Sequence, residues 1–207
     1  PMVIDPVRVR GAAYLKETCG CDIILCDDGL QHYALERDIE IAVVDGERKF
    51  GNQWLLPAGP LRESVHRLKS VDFVIGNGKK VTENAHVMSL LPGQLVNVKY
   101  PNQTKSKDDI HQPVVAAAGI GNPDRFFNLL RTLGFRVKQT MAFSDHHHFE
   151  QRDLPDEWVV MTEKDAVKCH SFAQSNWWYL PITAKLSPEF EQSFKEKVNL
   201  LRHRYGI

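Results

Sequence analysis

The chain has 207 residues, in which 26 Lys and Arg balance 26 Asp and Glu, and 43% of the residues are hydrophobic. This composition fits a globular protein of one large or two small domains, and it excludes a disordered or collagen-like chain. The balanced charge argues against a dedicated nucleic-acid binder, which carries a basic excess. No apolar run reaches the roughly 18 residues of a membrane span, and no signal peptide is visible.

Helices and strands are predicted to alternate along the first hundred residues. Residues 7–17 have the spacing of a short amphipathic helix. Three continuous apolar runs are typical of strands in a parallel sheet that is covered on both faces. These runs span 21–26, 39–46 and 71–76. After a loop at 50–60, Pro60 suits the first turn of a helix over 61–68.

A polar, turn-forming stretch then predicts a linker at 106–112, between a first lobe at 1–105 and a second lobe at 113–207. The second lobe repeats the alternation of strands and helices. Its predicted strands span 113–118, 135–143, 158–162 and 177–180. One helix is predicted at 125–130, a second begins at 163, and a third spans 188–204. This alternation predicts an α/β fold.

An acidic motif directly follows the first predicted strand. Asp27 and Asp28 open the sequence DDGLQH, at the carboxyl end of that strand, where ligands bind in open parallel sheets. Mg²⁺ prefers oxygen ligands and keeps several waters, so one or two carboxylates suffice to hold it beside a nucleotide phosphate. An ordinary strand-ending turn explains the same residues.

Two further segments carry groups that suit phosphate binding. Arg62, at the start of the predicted helix, can clamp a phosphate, and Glu63 can add a metal ligand. A solvated helix face with a Glu63–Arg67 pair is the alternative. The glycines at 119 and 121 can present backbone N–H groups to an anion, or can simply form a tight connection from strand to helix.

A run of three histidines follows Asp145 in the second lobe. In one interpretation, Asp145 orients His146 for proton transfer or phosphate binding. In a second, His146 and His148 bind zinc with a ligand from elsewhere, because consecutive residues cannot all face one ion. A solvated polar loop is the third.

Taken together, these segments resemble the tetraacyldisaccharide 4'-kinase family over nearly the whole chain. The resemblance is carried by 27–32 (DDGLQH), 37–38 (RD), 54–63 (WLLPAGPLRE), 118–127 (AGIGNPDRFF), 145–146 (DH) and 161–168 (MTEKDAVK). It implies an α/β fold, with an incomplete P-loop-kinase-like parallel-sheet lobe followed by a smaller, Rossmann-like α/β lobe.

The resemblance also implies an activity and a location. Such kinases transfer the γ-phosphate of ATP, with Mg²⁺, to the 4'-hydroxyl of tetraacyldisaccharide 1-phosphate in lipid A biosynthesis. They act at the cytoplasmic face of the bacterial inner membrane as peripheral proteins. We expect membrane contact mainly through an N-terminal segment that this sequence lacks.

The family's functional residues map onto individual positions. The resemblance assigns Asp27, Asp28 and Glu63 to the metal, and Gln31, His32 and Arg62 to the nucleotide and its phosphates. It assigns catalysis to His146 and Asp145: His146 matches the histidine that forms a catalytic dyad with an aspartate expected upstream of this sequence, and Asp145 precedes it as the family pattern expects. His147 and His148 fall at variable positions and receive no catalytic role.

One family element is missing from this sequence. The Gly-rich Walker-A loop with its Lys and Ser/Thr should precede the acidic motif by several dozen residues, but only 26 residues precede Asp27 and none form such a loop. Because that loop cradles the β- and γ-phosphates, we expect the chain alone to be inactive. The alternative function is a non-catalytic module that binds a nucleotide or a lipid headgroup.

Overall fold

A computed structural model describes residues 1–206, which form ten strands and four α-helices. The strands are β1 (Ile41–Asp45), β2 (Phe73–Asn77), β3 (His86–Pro92), β4 (Leu95–Asn97), β5 (Thr104–Lys105), β6 (Val114–Ala118), β7 (Val137–Ala142), β8 (Val159–Thr162), β9 (Trp177–Leu180) and β10 (Ile182–Leu186). The helices are α1 (Arg8–Glu17), α2 (Pro123–Thr132), α3 (Glu163–Cys169) and α4 (Pro188–Tyr205). The fold is therefore α/β, as the alternation predicts.

The chain divides into two compact units. The first joins Pro1–Ser89 to the chain from Lys185 onward, and the second is Leu90–Ala184. These bounds differ from the expected lobes at 1–105 and 113–207, because β4 pairs with β9 and thereby joins the sheet of the second unit. The segment expected as a linker at 106–112 contains a 3₁₀ turn, Lys107–Asp109, closed by a capping box between Ser106 and Asp109.

The first unit has a small aromatic core. β1 pairs in parallel with β2, and β2 with β3, in a sheet of order β1-β2-β3-β10. Phe73 and Ile75 of β2 are buried against Phe190 of α4, and the rings of Phe73 and Phe190 meet edge to face at 5.2 Å. Phe73 and Ile75 are buried in this way, whereas β1 forms an edge of the sheet and its Val43 is exposed.

The second unit has a more extensive core. Its sheet has the order β5-β4-β9-β8-β6-β7. β7, β6, β8 and β9 are parallel, and β4 runs antiparallel to both of its neighbours, β9 and β5. All five residues of β6 are fully buried. Leu130 of α2 packs with Ala116 and Val160 in one core cluster, and Cys169 of α3 packs with Val115 in another. The continuous apolar run of β6 is thus explained by a sheet covered on both faces.

The sequence-based prediction of a strand at 21–26 is wrong. These residues form no strand, and the side chains of Ile23 and Leu25 are 68% and 90% exposed. Within residues 1–206, no strand pairs with them. An apolar run becomes a strand only when a neighbouring strand satisfies its backbone groups.

The predicted helix at 61–68 is also wrong. Only a 3₁₀ turn, Val65–Lys69, forms there, beginning after Ser64, whose hydroxyl accepts a hydrogen bond from the His66 N–H. The backbone of Leu61 is engaged elsewhere: its N–H donates to the Trp54 carbonyl, and its carbonyl accepts from the Leu56 N–H. These bonds close the preceding loop and leave Pro60 outside any helix.

Two further properties bear on the chemistry of the chain. Through residue 206, no helix combines the length and the apolar character needed to cross a membrane. The four cysteines are free. Cys169 is buried, and this burial raises the pKa of its thiol to about 12, whereas Cys19 and Cys26 are exposed.

Candidate active site

The structure brings the acidic motif and the Arg-Glu pair together in the first unit. Arg62 Nη1 lies 3.8 Å from Asp28 Oδ2 and donates a hydrogen bond of 3.4 Å to Gln31 Oε1. Asp28 has a φ of 48°, a left-handed conformation that Asp tolerates better than most residues. The side chains of Arg62 and Asp28 are 65% and 84% exposed, so water screens their attraction and both can reach a ligand.

A tyrosine links Glu63 to the acidic motif. Tyr33 follows that motif, and its hydroxyl donates a hydrogen bond to Glu63 Oε1. The guanidinium of Arg37 lies 5.9 Å from the Tyr33 ring centroid and donates a hydrogen bond of 2.6 Å to the Gly29 carbonyl within the motif. Arg37 thereby holds both the turn of the motif and the tyrosine that reaches Glu63.

The carboxylate of Glu40 connects this arrangement to the sheet. Glu40 Oε1 is 2.9 Å from Arg37 Nη2 and 2.6 Å from Arg67 Nη2, and all three side chains are largely buried. The hydrogen bond with Glu40 raises the pKa of Arg67 above its ordinary value. Because Glu40 immediately precedes β1, this pair of guanidinium groups ties the acidic motif and the 3₁₀ turn to one strand end.

A compact loop carries Arg62 and Glu63. Asn52 braces it by donating from Nδ2 to the Ala58 carbonyl and accepting from the Trp54 N–H at Oδ1. A Cβ on Gly59 would lie 2.2 Å from Asn52 Oδ1, so only glycine fits there. The bracing explains how Arg62 is held in place without a helix.

Asp27 and His32 lie in the same motif with exposed side chains. The backbone of His32 closes the turn, since its N–H donates to the Gly29 carbonyl at 3.0 Å. The structure therefore collects Asp28, Gln31 and Arg62 into one contact network and leaves Asp27 and His32 exposed on the motif.

The second unit holds Asp145 and His146 beside a lysine. His146 has a φ of 61°, and its N–H donates to Asp145 Oδ1 at 3.0 Å. Lys164 Nζ donates to the same oxygen at 2.9 Å, while His146 Nε2 lies 3.7 Å from Asp145 Oδ2. The hydrogen bond from Lys164 is the main cause that lowers the pKa of Asp145. Asp145 is thus kept ionised beside the imidazole.

The first turn of α3 is fixed by a buried carboxylate. Asp165 is fully buried, and its Oδ2 accepts from the Gly119 N–H at 2.8 Å and from the Thr162 hydroxyl at 2.7 Å. Its Oδ1 lies 3.0 Å from Lys168 Nζ. Because the Gly119 N–H is already bonded, the glycine turn serves as a tight connection and that N–H is not available to an anion.

The three consecutive histidines have different surroundings. His147 stacks on Phe143 at a centroid distance of 4.8 Å, meets Phe149 edge to face, and lies 3.1 Å from Asp153 Oδ2 through Nε2. His146 and His148 are exposed. His147 therefore anchors the loop, and its packing leaves His146 at the surface.

In the described chain, residues 1–206, no three His, Cys, Asp or Glu side chains lie close enough to hold one metal ion. A zinc centre built on His146 and His148 therefore has no support. The acidic motif requires less, since Mg²⁺ accepts one or two carboxylates and water. Asp27 and Asp28 offer hard oxygen donors at the surface, which fits that ion.

Sequence reasoning missed three residues of this arrangement. Tyr33 directly follows the acidic motif, and that proximity was its only signal. Lys164 and Asp165 lie in the predicted helix that begins at 163 and in the motif 161–168, but neither received a role. Thr162 caps this helix, because its hydroxyl accepts a hydrogen bond from the Asp165 N–H. The long-range contacts to Asp145 and Gly119 have no local signature.

Comparisons with known proteins identify relatives of this chain. A sequence profile of the tetraacyldisaccharide-1-P 4'-kinase family matches residues 1–199. The tetraacyldisaccharide 4'-kinase of Pseudoalteromonas atlantica is 54% identical over 198 residues, covering 96% of this chain and 65% of that protein. The same enzyme of Shewanella frigidimarina is 54% identical over 197 residues, covering 93% of this chain and 58% of that protein.

A solved structure shares the fold. It is LpxK from Aquifex aeolicus, crystallised in complex with ATP, with a TM-score of 0.71 and 24% identity, covering 93% of this chain and 62% of that one. The chain thus spans about three-fifths of the length of the relatives it matches. With the family profile covering nearly all of its residues, the chain belongs to the tetraacyldisaccharide-1-P 4'-kinase family.

Proposed function

We propose that this chain contributes to a kinase that transfers the γ-phosphate of ATP to the 4'-hydroxyl of tetraacyldisaccharide 1-phosphate in lipid A biosynthesis. The observation that carries the proposal is the contact of Arg62 with Asp28 and Gln31, which joins two motifs about thirty residues apart. Membership of the kinase family supports it independently.

In this proposal the first unit binds the nucleotide. Arg62, Gln31 and His32 contact the phosphates, and the exposed guanidinium of Arg62 supplies charge-assisted hydrogen bonds. Asp27 and Asp28 would hold Mg²⁺, for which their carboxylate oxygens are suitable donors. Glu63, the third ligand that the resemblance implies, does not lie close enough to both of them within residues 1–206 to share the ion. When bound, that ion neutralises negative charge on the phosphate oxygens.

The second unit handles the proton of the acceptor. We assign His146 as the group that accepts the proton of the 4'-hydroxyl as the oxygen attacks phosphorus. Asp145, kept ionised by Lys164, faces the imidazole and stabilises its protonated form. Phosphoryl transfer mainly requires that the protein position the reacting groups and stabilise the charge on the transferred phosphoryl group. In this proposal the residues of the two units contribute to both.

A chimaeric protein tests the proposal. In it, this chain replaces the matched segment of the Pseudoalteromonas atlantica relative, which supplies the remaining third of that protein's length. We expect ATP-dependent phosphorylation of tetraacyldisaccharide 1-phosphate, and no turnover by the 207-residue chain alone, which contains no Walker-A sequence.

Two variants of the chimaera make the test specific. Arg62→Ala and His146→Ala should each lower kcat by about a hundredfold, the scale of a lost acid-base or phosphate-stabilising group. His148→Ala, which changes an exposed neighbour of His146, is the matched control and should keep full activity. Full turnover in His146→Ala would contradict the assigned role of that residue.

The alternative function is a non-catalytic module that binds a nucleotide or a lipid headgroup, and the exposed Arg62 network is the observation that favours it. Calorimetry with Mg·ATP shows whether the 207-residue chain binds the nucleotide. If the chain binds Mg·ATP, Arg62→Ala abolishes that binding and the chimaera shows no turnover, the module is supported.

The proposal includes a peripheral location at the cytoplasmic face of the inner membrane. Sedimentation of the chimaera with vesicles of anionic bacterial phospholipids tests the membrane contact. The 207-residue chain should sediment less than the chimaera, because we assign most of the contact to sequence outside it.

A further inference from the structure

We propose that Lys164 is a positioning residue for His146: its ammonium group fixes the Asp145 carboxylate, and that carboxylate fixes the histidine. The importance of Lys164 for phosphoryl transfer rests on the proposed function. The contact between Lys164 and Asp145, and its effect on His146, can be tested separately.

A single oxygen atom connects the three residues. Asp145 Oδ1 accepts two hydrogen bonds, from Lys164 Nζ at 2.9 Å and from the His146 N–H at 3.0 Å. The second bond belongs to a residue in the left-handed region, where a non-glycine residue needs external support. A carboxylate that bonds the N–H gives such support, so the orientation of Asp145 controls the backbone of His146.

The lysine is itself held on a rigid element. Thr162 caps α3, and Asp165, the residue after Lys164, is fully buried and bonded to the Gly119 N–H. Lys164 therefore projects from a helix turn that is anchored in the core of the second unit. In contrast, Asp145 and His146 lie in the segment that follows β7, so the restraint runs from Lys164 to the loop.

The Asp145 carboxylate also has a neighbour on another side, while its side chain is 46% exposed. A Cβ built on Gly121 would lie 3.9 Å from Asp145 Oδ2, so the carboxylate sits close to the glycine turn that follows β6. Asp145 is thus bounded by the glycine turn, Lys164 and the imidazole of His146. Three elements of the second unit define its place.

An exposed lysine–carboxylate pair is commonly weak, and the chain offers a matched control for that case. Lys138 and Glu157 form an ion pair with side-chain exposures of 40% and 49%, against 45% and 46% for Lys164 and Asp145. Lys138 lies at the amino end of β7, whereas Asp145 follows its carboxyl end. No histidine is adjacent to Glu157 in the sequence. Substitution of Lys164 should therefore affect His146, whereas substitution of Lys138 should affect no histidine.

The first experiment uses NMR spectroscopy of the 207-residue chain. In Lys164→Met, we expect the pKa of Asp145, followed through its carboxyl carbon, to rise toward its ordinary value. The His146 amide should exchange about fivefold faster, the scale of one lost hydrogen bond. Lys164→Arg should restore both values, and Lys138→Met should change neither.

The second experiment measures turnover of the chimaera. Lys164→Met should lower kcat about tenfold while the KM for ATP stays within twofold, because the lysine acts through His146 rather than on the nucleotide. Lys164→Arg should recover most of the kcat. A general loss of folding would instead lower the amount of active protein for both variants.

The outcomes separate this inference from the proposed function. If the Asp145 pKa and the His146 amide are unchanged in Lys164→Met, the inference is overturned whatever the kinase assay shows. If both change but even the unmutated chimaera lacks turnover, the proposed function fails and the structural restraint stands. An active chimaera whose kcat is unaffected by Lys164→Met overturns the positioning role.

Discussion

The two compact units respond differently to the same kind of sequence pattern. In the second unit, the apolar run of β6 is fully buried between two core clusters. In the first unit, a comparable run at 21–26 forms no strand, and Leu25 is almost fully exposed. An apolar run therefore forms a strand only where a neighbouring strand pairs with its backbone, and burial on both faces, as in β6, is a separate property.

Charged groups differ between the two units in the same way. Asp165, in the second unit, is a buried carboxylate with bonds to Gly119, Thr162 and Lys168. Asp28, in the first unit, is exposed, and the guanidinium of Arg62 is 3.8 Å from its carboxylate. The Asp165 carboxylate contributes to the architecture of the second unit, whereas the carboxylate of Asp28 remains available to a ligand.

The largest effect is expected at Asp165. Asp165→Ala removes a buried carboxylate and leaves the Gly119 N–H and the Lys168 ammonium without it, which should cost about 4 kcal/mol of unfolding free energy. Asp22→Ala, at an exposed position of the first unit, should change stability by less than about 0.5 kcal/mol. Urea titration followed by tryptophan fluorescence measures both, because Trp158, Trp177 and Trp178 lie in the second unit and Trp54 lies in the first. Equal losses of unfolding free energy in the two variants would contradict this difference between the units.

Leucine truncation tests the difference in apolar burial. Leu130→Ala, in the fully buried part of α2, should destabilise the second unit by about 3 kcal/mol, since it removes apolar contacts and opens a cavity. Leu25→Ala makes the same chemical change at an exposed site and should alter stability by less than about 0.5 kcal/mol. A loss above about 1 kcal/mol for Leu25→Ala would show that residues 21–26 pack in solution.

Limited proteolysis should distinguish the units by rate. Residues 18–38 lack regular structure, so we expect the first cleavages there, about tenfold faster than any within β6–β9. Mass spectrometry of early fragments locates the cuts. Earlier cleavage within the second unit would reverse the expected order of stability.

The smallest effect concerns acid stability. Two hydrogen bonds lower the pKa of the Asp153 carboxyl group, which is ordinarily about 4. The bond from the Glu150 N–H has the larger effect, and the bond with His147 has the smaller one. A carboxylate whose pKa is lowered by folding stabilises the protein above its unfolded value, and that contribution is lost as the pH falls through the folded value. Asp153→Asn should therefore lower the urea midpoint at pH 6, and its difference from the unmutated chain should shrink as the pH falls below about 4. A constant difference across that range would argue against the linkage.

The strands β1, β2, β6, β8 and β9 were all predictable, because each is a short apolar run with a partner strand. The helix expected at 61–68 was not, because the backbone of Leu61 bonds to Trp54 and Leu56, a closure that no local pattern encodes. In the candidate site, the resemblance identified Asp28 and Arg62 as residues of one family site, and their contact is seen only in the structure. Tyr33 and Lys164 were not predicted, because their hydrogen-bond partners, Glu63 and Asp145, are 30 and 19 residues away in the sequence.

The buried thiol of Cys169 can report how often the second unit opens in solution. Thiolates, not thiols, react with alkylating reagents, and a pKa of about 12 leaves almost no thiolate at neutral pH. Each alkylation of Cys169 therefore records an opening of the second unit, while the exposed Cys19 and Cys26 are modified almost at once. A timed pulse of reagent would count those openings at equilibrium, with no denaturant and no substitution in the chain.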